Sequence, residues 1–146
     1  MKTLIAVLLS AQVVSPSPVA ARDPVSAVLE AAVLSRCRVL RCAVAIDRKV
    51  VPEQLLRRVA SRVPDVRTVR QSDFEAVSGA TRAWAEDAAV IINVVSPKVG
   101  KRVMLEVRVE FLQSALIPET CWYTTRRDRT TRNWLANPDD WSCAFS

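Results

Sequence analysis

The chain of 146 residues contains no histidine. Histidine is the side chain that most readily moves a proton near neutral pH. Its absence excludes Ser–His–Asp and Cys–His catalysis and every histidine-ligated metal centre. Glycine is almost as scarce, with Gly79 and Gly100 the only two. A phosphate-cradling loop needs several glycines, so the usual nucleotide-binding motifs are excluded as well. Lysine is limited to Lys2, Lys49, Lys98 and Lys101, so arginine carries most of the formal charge of +6. No apolar run reaches the roughly 20 residues that a membrane helix requires. Cofactor chemistry has no recognisable seat here, and no catalytic or metal-ligating constellation stands out.

What is present is an ordinary globular balance. Half the residues are hydrophobic and 25% are charged. The length suits one domain with a real core. The first 21 residues are set apart. Lys2 is followed by an apolar run from Leu4 to about Val14, and then by small residues. Val19 and Ala21 fit the −3 and −1 places before a cut. This is the layout of a secretory signal peptide. The expectation is therefore a leader over 1–21 and a single domain over 22–146. The mature chain would be secreted or periplasmic, with no transmembrane segment.

The four cysteines, Cys37, Cys42, Cys121 and Cys143, all follow that cut. An even number in an exported chain reads as two disulfides. Local pairing, Cys37 with Cys42 and Cys121 with Cys143, is favoured. Cross-pairing between the two ends of the chain is the alternative. A four-cysteine zinc site is the third option, which the wide second spacing and the exported setting oppose.

Periodicity orders the elements. Asp23 and Pro24 start a helix ending near Arg36, with Val25, Val28, Leu29, Ala32 and Val33 facing inward. "VLRCAVAID" (39–47) reads as a buried strand. Pro52 to Pro64 brackets a second helix, with Arg57, Arg58 and Arg62 turned to water. "VRTVR" (66–70) is a short strand near an edge. Ser72 and Glu75 have capping-box spacing for a third helix, which Gly79 weakens. "AAVIINVVS" suits a central strand. In "RVMLEVRVEFL" the residues Val103, Leu105, Val107, Val109 and Phe111 alternate with Arg102, Met104, Glu106, Arg108 and Glu110. "TCWYTTRR" and the C-terminal residues add strands, with "RRDRT" and "NPDD" as turns. The fold class is α+β: N-terminal helices packed on one face of a mainly antiparallel sheet, held by two disulfides.

Function is less constrained. Glu106 and Glu110 stand four residues apart, about 13 Å along a strand. That is too far for a glycosidase pair, so a solvated Glu–Arg–Glu ladder is the simpler reading. Glu86 and Asp87, and likewise Asp139 and Asp140, lack the alternating oxygens of a calcium loop. Ser96 and Lys98 lie in a turn and make a poor dyad. The basic C-terminal group is more suggestive. Arg126, Arg127, Arg129 and Arg132 are flanked by Trp122, Tyr123 and Trp134, a mixture that can hold anionic partners. Export disfavours nucleic acid and favours an anionic envelope component or another protein. Two classes follow. One is a non-enzymatic exported domain for binding or envelope support. The other is a carboxylate-dependent hydrolase acting on an envelope or extracellular substrate.

Overall fold

The computed structural model describes residues 17–70, 90–98, 100–112 and 119–144. They form a seven-stranded mixed sheet with two helices. In chain order the elements are β1 (Val19–Ala21), α1 (Pro24–Arg36), β2 (Cys42–Ile46), α2 (Glu53–Ala60) and β3 (Val66–Thr68). Then follow β4 (Val90–Val94), β5 (Met104–Leu112), β6 (Glu119–Arg127) and β7 (Trp134–Ala144). The strand order is β1-β7-β6-β5-β4-β2-β3. Neighbours are antiparallel from β1 through to β4 and parallel from β4 through β2 to β3. The third helix expected from Ser72 lies outside the described residues.

Helix α1 begins where its capping residues place it. Asp23 Oδ1 accepts from the Ser26 amide at 2.8 Å, and Oδ2 from the Ser26 hydroxyl at 2.7 Å. Val28, Leu29, Ala32 and Val33 are buried, as the periodicity requires. Ala27, Glu30 and Ala31 are buried too, so the helix is enclosed well beyond one stripe. It packs on β7, β1, β4 and β5. Helix α2 is shorter than its bracketing prolines allow. Val59 and Val63 are buried, while Leu55 and Leu56 are half-buried against the core. Among the described residues, no helix is long and apolar enough to cross a membrane.

The alternation in β5 sets the main core. Leu105, Val107, Val109 and Phe111 are buried beside Tyr123 of β6 and Ile92 of β4. Val103 departs from the pattern. It precedes the first residue of β5 and is 55% exposed. Adjacent residues of β2 and β4 point to the opposite face. There Ala43, Ala45, Ile91 and Leu112 join Val69 in a second buried cluster. Strand β2 is also shorter than expected, because 38–41 is a loop before Cys42.

Both cysteine pairs are local: Cys37–Cys42 and Cys121–Cys143 are disulfides. The cross-paired and zinc alternatives therefore fall away. "NPDD" is not the turn it resembles. Tyr123 pairs with Trp141 and Thr125 with Ala136, so residues 137–140 form a bulge within β7. The chain doubles back only at 128–133. Strand β1 is built from the last residues of the expected leader. Val19 and Ala21, placed in the leader by their spacing, are 0% and 3% exposed and pair with Ala136 and Trp134. A chain beginning at Arg22 would lack strand β1.

Candidate anion-binding end of the sheet

Strands β6 and β7 are joined by a loop that Asp128 organises. Its amide donates to the Asn133 carbonyl at 2.7 Å, and its carbonyl accepts from the Arg132 amide at 3.0 Å. Its carboxylate accepts from the Thr130 amide at 2.8 Å and the Thr131 hydroxyl at 3.0 Å. These bonds to the charged form, the Thr130 amide foremost, hold the carboxyl below its ordinary value. Arg132 closes the loop in the left-handed region at φ 64°. With its carboxylate engaged by the loop, Asp128 leaves Arg126, Arg127, Arg129 and Arg132 exposed around it.

Neighbouring strand ends add to this charge. The Arg127 amide donates to the Val103 carbonyl at 2.8 Å, bringing Lys101 and Arg102 alongside. Ala21 pairs with Trp134, placing Arg22 at the same level on the other side. Four adjacent strands, β5, β6, β7 and β1, thus end in cations. Lys101, Arg102, Arg126 and Arg129 make no salt bridge among the described residues. Arg126 attracts the Asp128 carboxylate at longer range, but charge held in no salt bridge costs little in water and is available to an anion.

The tryptophans do not join this group. Trp134 is 5% exposed and belongs to the core. Trp122 is half-buried, cross-strand from Arg108 and Ser142. It lies four residues down β6 from Arg126, about 13 Å away. The arginines are therefore brought together, and the aromatic half of the expected site is not.

Beside the basic end lies an open groove of about 870 Å³, lined by Lys98, Arg102, Met104, Glu106 and Thr124 among others. Glu106 is its only carboxylate among the described residues. Glu110 does not face it as a solvated partner. Its Oε2 accepts from Asn93 Nδ2 at 2.9 Å, and Arg108 and Arg48 lie 3.4 and 3.9 Å from its oxygens. The buried Asn93 also accepts from the Arg48 amide at 2.8 Å. That bond holds a turn in which Asp47 and Arg48 both have positive φ, 51° and 59°.

Ser96 is committed elsewhere too. Its hydroxyl and amide donate to Asp47 at 2.5 and 2.9 Å, pulling that carboxyl below its ordinary value. No dyad with Lys98 is formed. Asp139 and Asp140 are exposed in the β7 bulge. Glu86 and Asp87 lie outside the described residues. Glu119 clusters with Cys121 and Cys143, but those sulfurs are bonded to each other and are not thiolate ligands.

Two charged groups were hidden in the sequence. Glu30, 1% exposed, has Arg58 Nε and Arg62 Nε at 2.8 and 3.0 Å. These are ion pairs by distance rather than aligned hydrogen bonds. Arg58 and Arg62 are thus not simply a solvated face. Arg36 pairs with Glu119 at 2.8 Å between the rings of Phe111 and Trp141. A lone acid inside "SAVLEAAVLS" was the available signal for the first; the second had none. No protein-family model, no curated protein and no solved structure matches the chain.

Proposed function

We propose that this protein is an exported, disulfide-stabilised binding domain that holds an anionic envelope partner at the arginine-rich end of its sheet. One observation carries the reading. Arg102, Arg126, Arg127, Arg129 and Arg132 converge at neighbouring strand ends with Asp128 as the only carboxylate of their loop. The apolar leader and the two disulfides support an oxidising compartment, secreted or periplasmic. The same reading puts both described helices on one face of the sheet. Support comes from Val28, Leu29 and Val59 belonging to one buried cluster. The hydrolase reading gains no support from the groove, where Glu106 has no second carboxylate beside it among the described residues.

The test is charge reversal with a matched control. R126E/R129E should elute from heparin-agarose, used as a polyanion probe, at clearly lower salt than K49E/R57E. The two variants have the same net charge. Equal elution of the two would reduce the basic end to non-specific charge.

A further inference from the structure

Between the first two cysteines runs Arg38-Val39-Leu40-Arg41. The Cys37–Cys42 disulfide closes this loop, tying the end of α1 to the start of β2. Both cysteines are buried, and all four residues between them are exposed. Val39 is 92% exposed and Leu40 is 40% exposed. A single apolar residue on a surface needs no explanation. An adjacent apolar pair, held at the tip of a closed loop between two arginines, does. Neither Arg38 nor Arg41 makes a salt bridge among the described residues.

We propose that this loop is a membrane-docking finger. It seats Val39 and Leu40 in the surface of an anionic bilayer and sets Arg38 and Arg41 on the lipid phosphates. The order of residues is what favours a bilayer over a protein pocket. An apolar tip with cationic shoulders matches an interface that is apolar inside and negatively charged at its rim. The disulfide removes most of the ordering cost of the loop before it binds. Trp141 adds a second contact of the right kind. It is 38% exposed and its ring lies 4.7 Å from the guanidinium of Arg36, the residue preceding Cys37. Tryptophan is enriched where membrane meets water.

The finger is independent of the arginine hairpin. Cys42 pairs with Val90 at the start of β2 and β4, and Glu119 with Phe111 at the same level of the sheet. Arg127 ends β6 at the opposite side of the molecule.

Hydrogen exchange on the full chain tests the proposal, because it reads the loop whatever else touches the lipid. On phosphatidylglycerol vesicles, a peptide spanning 38–41 should exchange about tenfold more slowly than in solution. Phosphatidylcholine vesicles should give no such protection. V39S/L40S should restore the solution rate in the loop, and R126E/R129E should leave the protection in place. The proposal is overturned if the chain stays off phosphatidylglycerol, or if the loop of the bound chain exchanges at its solution rate. Protection by a protein of the same compartment in place of lipid also overturns it, as does loss of loop protection in R126E/R129E.

Discussion

Cys121 and Cys143 stand directly opposite each other on β6 and β7, and their sulfurs are bonded. The bond closes a span of 22 residues that includes the arginine loop and the β7 bulge. Closing a loop of that size is worth about 3 kcal/mol in the chain-entropy model. C121A/C143A should therefore lower unfolding free energy by about that amount in urea titration. Non-reducing peptide mapping should join Cys121 to Cys143. A peptide joining Cys121 to Cys37 or Cys42 would refute the pairing.

Arg36 ties the end of α1 to three strands at once. Its guanidinium lies 4.6 Å from the centre of Phe111 and 4.7 Å from that of Trp141, and it pairs with Glu119 at 2.8 Å. Replacing it with Met keeps the stem and removes the charge. The pair is partly exposed, so its loss is discounted for solvent screening. R36M is expected to cost about 1–2 kcal/mol, mostly from the ring contacts. Denaturant titration followed by tryptophan emission measures this. An unchanged midpoint would show that the stacking contributes nothing.

Tyr123 gives the stability curve an alkaline limit. Burial pushes its hydroxyl above the ordinary value, against the opposing influence of the Ser35 hydroxyl 2.9 Å away. The folded state therefore favours the neutral form. Its contribution is complete below about pH 10, the unfolded value, and is lost as pH rises from there toward the folded value. Y123F should flatten that alkaline decline, as followed by stability measured from about pH 9 to 11. A decline of equal slope in Y123F would place the cause elsewhere.

The elements with a strong local rule were legible before the fold was known. Asp23 and Pro24 fixed the start of α1, and strict alternation fixed the buried face of β5. The local disulfides followed from export logic and chain distance. Long-range choices were not legible. Nothing in "NPDD" separates a turn from a bulge, because only the register of β6 against β7 decides it. Trp134 and Trp122 look alike in sequence, yet strand parity sends one into the core and leaves the other half-buried. Arg36 and Glu30 acquire their partners from 83 residues away and from another helix. A lone acid on an apolar helix hinted at Glu30, but spacing along the chain names neither partner.

Residues 19–21 are asked to serve two incompatible ends. As a leader terminus they are removed, and as β1 they are paired to β7. On the export reading, the chain recovered from its compartment begins at Arg22. Val19→Ser, a small residue still suited to the −3 place, should then leave the stability of that purified chain unchanged. If β1 is retained, the same substitution should cost about 2–4 kcal/mol, since it replaces a fully buried valine side chain with a hydroxyl. Intact mass of the chain recovered from the cell and its surroundings distinguishes the two directly.

The decisive measurement is the salt dependence of affinity for a polyanion at the arginine-rich end. Titration of the wild type with heparin over a range of salt should give a dissociation constant that weakens steeply as salt rises. R126E/R129E should bind at least about tenfold more weakly at low salt, with a visibly shallower slope. K49E/R57E, equal in net charge, should stay close to the wild type in slope and within about twofold of it in affinity. If both variants lose affinity and slope alike, binding follows net charge alone, and the arginine loop between β6 and β7 is not a binding site.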